Sequence, residues 1–241
     1  MNITQNTMIG ELVASDYRAA EIFSKYKIDF CCQGNRTIAE ACEKKKIDAG
    51  EVIRDLNSLP SGNSAQSIDF NSWPLDLLAD YIEKKHHRYV VEKTAVITKY
   101  LVKVSQVHGE AHPELREIAS LFFAGTPELA AHMKKEELIL FPFIRKMATS
   151  GNAKAPFGSV ESPISMMRHE HDLEGERYRR IAELSSNYTP PPEACNTYRV
   201  TYALLKEFEQ DLHLHIHLEN NILFPKAIER EAQLSTTSCA I

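Results

Sequence analysis

His132-Met133-Lys134-Lys135-Glu136-Glu137-Leu138-Ile139-Leu140-Phe141-Pro142 is answered 83 residues later by His215-Ile216-His217-Leu218-Glu219-Asn220-Asn221-Ile222-Leu223-Phe224-Pro225. Both stretches read H-x-x-x-E, two further residues, then I/L-x-F-P. On a helix, residues four apart lie one turn above another on the same face. Each copy therefore sets an imidazole beside a carboxylate. The Leu, Ile and Phe that follow bury the helix end, and the proline disfavours its smooth continuation.

The repeat reaches backwards. His87 and His171 lie 84 residues apart, each 44 to 45 residues before its H-x-x-x-E. Each half thus reads lone His, long gap, H-x-x-x-E. Four His and two Glu converging in one core suit a two-metal site. One such motif alone is more often an exposed ion pair worth ~0.5 kcal/mol. That reading does not explain why the register repeats.

A chain of 241 residues holds one large domain or two smaller ones, and 43% hydrophobic residues support a true core. The net charge of −5 gives no reason to expect nucleic acid or an anionic membrane as partner. The longest apolar runs fall far short of the roughly 18 residues that span a bilayer. The first residues, MNITQNTMIGEL, lack the basic and apolar regions of a signal peptide. Five cysteines, odd and sparse, do not make a disulfide framework, and Cys239 is third from the end, where the prenylation pattern needs the fourth. The expectation is a reducing, cytoplasmic setting.

Residues 1–58 read as a small helical domain, with short helical patterns at Met8–Ala14, Tyr17–Tyr26, Ile38–Lys46 and Val52–Leu56. Thr37-x-x-Glu40 and Asp48-x-x-Glu51 are capping-box patterns opening the last two. Between the second and third sits Asp29-Phe30-Cys31-Cys32-Gln33-Gly34-Asn35. Adjacent Cα atoms are about 3.8 Å apart, too close for an ordinary disulfide. Cys31 and Cys32 therefore suit metal thiolation, exchange with an outside thiol, a bond to another chain, or simple burial as small apolar groups. Their place before a helix start favours thiolate. Cys42 has core spacing. Residues 59–71, rich in Ser, Asn, Pro and Gly, read as a linker.

The remainder, 72–241, reads as four long helices joined by short connections, hence an all-α, antiparallel four-helix bundle. The first spans about 74–107 with Ser72 as N-cap. It carries His86 and His87, which point about 100° apart, so periodicity leaves open which faces the core. His108 and His112 fall at its end, solvated or capping. The second spans 114–147 with a break expected at Gly125-Thr126-Pro127. The third spans 163–186, capped by Ser162, and bears His169, Glu170 and His171, with Asp172 and Glu174 read as surface charges. Thr189-Pro190-Pro191-Pro192 turns the chain into the fourth, 193–230, whose Tyr198, Tyr202, Leu205, Phe208, Leu212 and Ile216 form an apolar stripe.

Imidazole plus carboxylate, without thiolate, suits iron, manganese or zinc. Two carboxylates can bridge two metals. With two His each, every metal has four protein ligands, and a six-coordinate iron retains room for a bridge and a small ligand.

At this point the sequence resembles the iron–sulfur cluster repair di-iron family, whose C-terminal part is a hemerythrin-like bundle. The resemblance rests on IDFCCQGNRTIAEAC (28–42), HMKKEELILFP (132–142), EHD (170–172), TPPPEAC (189–195) and HIHLENNILFP (215–225), and it covers nearly the whole chain. It implies a non-haem di-iron centre, oxo- or hydroxo-bridged, with His87, His132, His171 and His215 as ligands and Glu136 and Glu219 as bridges. It implies functional roles for Cys31 and Cys32, and for Glu170 as a proton relay or channel residue. His169 and His217 lie outside the ligand set or at the surface. The family's paired His of the first helix are spaced apart, whereas here they adjoin; His87 is chosen over His86 by its register with Asp80 and Ile82. No proline stands at the family's equivalent of Pro127.

The family role is stress-responsive repair of iron–sulfur clusters damaged by oxidants or nitric oxide, with iron delivery as one means. Its partners are damaged iron–sulfur proteins and small ligands such as oxygen or nitric oxide, and it suggests a homodimer. Two other functions compete: an enzyme reducing nitric oxide or peroxide, and a module sensing oxygen or nitric oxide.

Overall fold

The computed structural model describes residues 3–59, 68–150 and 157–238. It is all-α. Four short helices come first: α1 (Ile9–Ser15), α2 (Ala19–Lys25), α3 (Ile38–Lys45) and α4 (Ala49–Asn57). Four long rods follow. The first is α5 (Leu75–Tyr81), a π-helical turn at Ile82–His87, and α6 (Arg88–His108). The second is α7 (Glu114–Lys135), a π turn at Glu136–Leu140, and α8 (Phe141–Thr149); the third is α9 (Glu161–Leu184). The fourth is α10 (Asn196–Leu218), a π turn at Glu219–Leu223, and α11 (Phe224–Ser238). Among the described residues no helix is long and apolar enough to cross a membrane.

Local chemistry accounts for much of this. Thr37 and Glu40 form the full capping box that opens α3: the Thr37 hydroxyl accepts from the Glu40 N–H, and the Glu40 carboxylate accepts from the Thr37 N–H. Asp48 caps α4 by accepting from the Gly50 N–H instead, so the second box is an ordinary N-cap.

Several expected boundaries move, each for a tertiary reason. Ser72 is not the cap of the first rod. It belongs to a 3₁₀ turn, Phe70–Ser72, at the end of the expected linker, and Pro74 takes the N-cap position. Phe70 is buried there against Trp73 and Tyr81. Residues 60–67 of the linker lie outside the described residues, as does Cys239. Helix α9 begins at Glu161 rather than beyond Ser162. Its first amide is capped by Glu231 of α11, whose carboxylate accepts from Val160 N–H at 3.1 and 3.2 Å and from the Ser159 hydroxyl at 2.6 Å.

The expected break at Gly125-Thr126-Pro127 does not occur; α7 runs through it. A proline inside a helix loses one hydrogen bond and crowds the carbonyl four residues back. Pro127 lies on the exposed face, while Phe122, Gly125 and Leu129 on the inner face are buried and hold the rod together. The Thr126 hydroxyl donates to Phe122 O at 2.9 Å.

Residues 3–58, the described part of the first domain, pack against the bundle. One apolar core runs from Ile9, Phe23, Ile38 and Val52 into Ile97, Leu101, Leu205 and Phe208. A second core at the opposite end holds Leu78, Ile82, Phe141, Ile144, Ile164 and Phe224. Asn221 is the clamp between the two parts: its amide donates to Phe30 O at 3.2 Å and to Cys31 O at 3.3 Å. Gly34 is required beneath it, because a Cβ there would lie 2.6 Å from Asn221 Oδ1 and 2.7 Å from Phe30 O.

Pro127→Ala should therefore stabilise the protein by about 2 kcal/mol, the ~3 kcal/mol of an interior proline less the ~1 kcal/mol by which proline restricts the unfolded chain. Urea denaturation reads this directly. A variant no more stable than the parent would show that the rod has already absorbed the proline.

Candidate metal centre

Where the two apolar cores meet, six polar side chains face one another. His87 ends the π turn of the first rod. His132 lies on α7, with Glu136 opening the π turn one turn later. His171 is mid-α9. His215 lies on α10, with Glu219 opening the last π turn. None of the four His is more than 3% exposed, and Glu136 and Glu219 are 0% exposed.

The π turns of the second and fourth rods share one cause. Phe141 N–H bonds back five residues to Glu136 O, and Phe224 N–H to Glu219 O. The next residue in each copy is proline, which has no N–H and a ring that crowds the carbonyl four residues back. Widening the turn just ahead of it relieves the crowding without ending the rod. The repeated F-P thus continues each rod through a bulge instead of stopping it, and the bulge begins at the carboxylate.

The six side chains divide into two sets that share both carboxylates: His87, Glu136, His215 and Glu219, and His132, Glu136, His171 and Glu219. His87 and His132 place Nε2 at 3.4 and 3.3 Å from Glu136 Oε2. His171 Nε2 is 3.1 Å from Glu219 Oε2, and His215 Nε2 is 3.1 Å from Glu219 Oε1. His171 Nε2 and His132 Nε2 face each other at 3.0 Å.

On the far side of the rings, His87 Nδ1 meets Glu137 at 2.8 Å, His132 Nδ1 meets Glu170 at 2.8 Å, and His171 Nδ1 meets Asn220 Oδ1 at 3.0 Å. Such contacts fix the ring and its tautomer, leaving Nε2 free to ligate.

Burial opposes ionisation of Glu219, yet His215 and His171 hold it well below the usual carboxylate range. Burial and the charge of Glu219 likewise push Glu136 up, but His132 and His87 bring it below its ordinary value. Burial works against a charged His132, and Glu136 outweighs it, raising the imidazole to about 9.

Both oxygens of Glu136, Oε2 of Glu219 and Nε2 of His87 have no hydrogen-bond partner among the described residues. Buried carboxylate oxygens left so are costly unless a cation meets them. The donor set therefore fits metal ions of the kind that take nitrogen and oxygen ligands.

His86 is separate from the cluster. It is fully buried, with Nδ1 3.0 Å from Asp211 Oδ2. Glu170, half-buried, also pairs with Lys135. Both help to line a cavity of about 300 Å³ that reaches His132, His171 and His215.

Glu174 is not the surface charge expected, and of the two places open to His217 the surface is excluded. Glu174 is buried in the wall of that cavity, paired with Arg177 at 2.9 Å. His217 is 1% exposed, bonded to Asn221 at 3.0 Å and covered by Tyr17 and Phe30. A run of six buried residues from His215 to Asn220 signals that the C-terminal end of α10 and the turn after it are enclosed on every side. His169 is exposed, Asp172 is half-buried and within 3.2 Å of Gln33 Nε2, and Cys42 is in the core.

The cysteine pair lies against the centre. Cys31 and Cys32 are free thiols with Sγ atoms 3.7 Å apart, and Cys32 Sγ is 3.4 Å from His171 O. Asp29 Oδ1 accepts from the Cys32 N–H at 2.9 Å. The expected thiolate does not hold for Cys31. Its hydrogen bond with Cys32, then burial, then the charges of Cys32 and Asp29 push it well above an ordinary thiol. Helix α3 starts only at Ile38, too far along for its dipole to help.

Residues 78–227 match the family described as the hemerythrin HHE cation binding domain, and residues 5–60 match one described as a domain of unknown function (DUF542). The iron-sulfur cluster repair protein ScdA of Staphylococcus haemolyticus is 34% identical over 224 residues, 93% of this chain and 99% of that protein. The chain belongs to the iron–sulfur cluster repair family. A second member, the iron-sulfur cluster repair protein YtfE of Yersinia pestis, is 36% identical over 227 residues, 94% of this chain and 99% of its own. A third, YtfE of Yersinia pseudotuberculosis, is 35% identical over the same length. The family thus brings a cation-binding bundle, and the chain binds metal there.

A divalent metal at 1,000 times its dissociation constant should stabilise the fold by about 4 kcal/mol, and a chelator should reverse this. Thermal melts with and without metal measure it. Coincident melts would mean that the buried carboxylates are not metal ligands.

Proposed function

We propose that this chain holds two irons and restores iron–sulfur clusters damaged by oxidants or nitric oxide. His87 and His215 hold one iron, His132 and His171 the other, and Glu136 and Glu219 bridge both. The observation that supports this most is the pair of donor sets with both carboxylates in common. The repair role is drawn from the names of the relatives.

An iron pair in this cluster supplies redox chemistry toward oxygen, peroxide or nitric oxide, and it is also a store of the metal that a damaged cluster has lost. The chain's own residues do the rest. Glu137, Glu170 and Asn220 hold the Nδ1 sides of three ligand rings, so Nε2 points inward. The cavity beside His132 and His171 admits a small ligand but not a protein. Glu170, between Lys135 and His132, keeps the imidazole proton on Nδ1 and is placed to take it up at the cavity wall.

Cys32 is the more accessible of the two thiols and the one on the His171 carbonyl. It is the group suited to meet a client or iron leaving the bundle. Cys31, buried and held protonated, supports it.

The cavity favours a second reading, in which the centre reduces nitric oxide or peroxide, or senses oxygen or nitric oxide. Multiple-turnover gas consumption would favour the enzyme, reversible binding without turnover the sensor, and iron transfer to an apo cluster protein the repair role.

Elemental analysis should find two irons per chain in protein purified from its own host; one zinc without iron would sink the proposal. Glu136→Ala or Glu219→Ala should each lose more than one metal, because both sets share them. Removing a terminal His should cost less, since water can replace it. Equal, small losses for all six variants would argue against bridging.

The variant carrying Cys31→Ala and Cys32→Ala should keep its iron absorption but reactivate a nitric-oxide-treated iron–sulfur enzyme poorly. Full reactivation would make the thiols packing groups. Loss of iron as well would mean that they help to load or hold the centre.

A further inference from the structure

Three of the four imidazoles at the centre have an Nδ1 partner, and His215 does not. Its Nδ1 is buried and without a hydrogen-bond partner among the described residues. One other imidazole nitrogen outside the ligand set shares that condition, Nε2 of His86. The two rings are stacked, with centroids 5.6 Å apart and planes 15° from parallel. Both side chains are at most 1% exposed.

We propose that His86, held by Asp211, is the positioning partner of His215, joined to it through one water molecule between His86 Nε2 and His215 Nδ1. This rests on the two-metal reading of the centre. The two nitrogens make no direct hydrogen bond, and two hydrogen bonds of ordinary length through a water reach between the edges of rings whose centroids lie 5.6 Å apart. A buried water needs two to four polar partners, and these two nitrogens supply the minimum.

The hydrogen-bond directions agree along the chain. The Asp211 carboxylate only accepts, so His86 Nδ1 carries the hydrogen and its Nε2 is an acceptor. The water donates to that Nε2 and accepts from His215 Nδ1–H. His215 Nε2 then keeps its lone pair for the metal, on the side where Glu219 lies 3.1 Å away. Asp211 thus does for His215, at one remove, what Glu137 does for His87 and Glu170 for His132.

The ring of His86 is fixed for this part. Tyr81 packs edge-on against it at 5.4 Å, and Asp211, 14% exposed, holds its Nδ1. Asp211 in turn borders a solvent-open cleft between the bundle and α2, lined also by Tyr17, Phe30 and His213.

The test is cobalt(II) titration of the full-length chain, followed by the visible ligand-field spectrum and by chelator competition. The parent should bind two cobalt ions. His86→Phe keeps the ring's bulk without its nitrogens, and it should weaken one of the two sites by about 10–100-fold while the other keeps its affinity. Asp211→Asn should give a smaller loss at the same site. His86→Gln, which retains a polar atom, should recover part of it.

Equal affinities in the parent and His86→Phe would overturn the inference while leaving the two-metal centre standing. Equal losses for His86→Phe and His86→Gln would also overturn it, making the ring a packing element. A parent that binds fewer than two cobalt ions would overturn both readings. If metal-free His86→Phe melts as an unfolded chain, Asp211→Asn decides: unchanged affinity there overturns the proposal.

Discussion

Two carboxylates with no exposed surface, Glu136 and Glu219, stand in the middle of a helix bundle. Everything around them answers that fact. An ionised carboxylate in an apolar interior is tolerable only beside compensating charge and hydrogen-bond donors. Four imidazoles surround the pair, and their Nε2 atoms point at the carboxylate oxygens. Even so, three of the four carboxylate oxygens remain unbonded. An apolar replacement would pack such a core at least as well, so the cluster persists for what it binds.

The duplication explains how so few residues build the centre. Each copy brings its own His, its own Glu and its own π turn, which begins at the Glu and ends just before the Phe and Pro. A π turn shifts the register of the following rod by about one residue relative to an α-helix. Phe141 and Phe224 then stack on the rings of His87 and His171, at 5.6 and 6.0 Å and within 19° and 2° of parallel. The repeated spacing in the two stretches is therefore one mechanical unit used twice: ligand, bulge, and an aromatic that braces a ligand from another rod.

The parts that depend on local order were legible in the amino-acid sequence. Four rods, the capping box at Thr37 and the two H-x-x-x-E faces each rest on spacings of three or four residues. What escaped depends on partners far along the chain. Adjacent His86 and His87 point about 100° apart, and the widened turn over Ile82–His87 buries both, so no periodicity separates ligand from neighbour. The cap of α9 comes from Glu231, some 70 residues on. Whether His217 sits at the surface or only outside the ligand set was open in the sequence; Tyr17 and Phe30, about 190 residues back, cover its ring and bury it. The break expected at Pro127 failed because its inner-face neighbours outweigh one lost hydrogen bond.

The same kind of long-range contact ties residues 3–58 to the bundle. Asn220 follows the bridging candidate Glu219 directly. Its Oδ1 meets His171 Nδ1 at 3.0 Å, and its amide donates to Cys31 O at 3.2 Å. Cys32 Sγ lies on the His171 carbonyl, and a Cβ at Gly175, one turn on, would approach that sulfur to 3.1 Å. One asparagine side chain thus joins the thiol loop to a ligand ring. The loop cannot shift by much without taking the hydrogen bond that orients His171 with it. A linker that only tethers two bodies would leave the thiols free to search for the centre; here they are already seated on it, and the geometry of the pair and the geometry of the centre are set together.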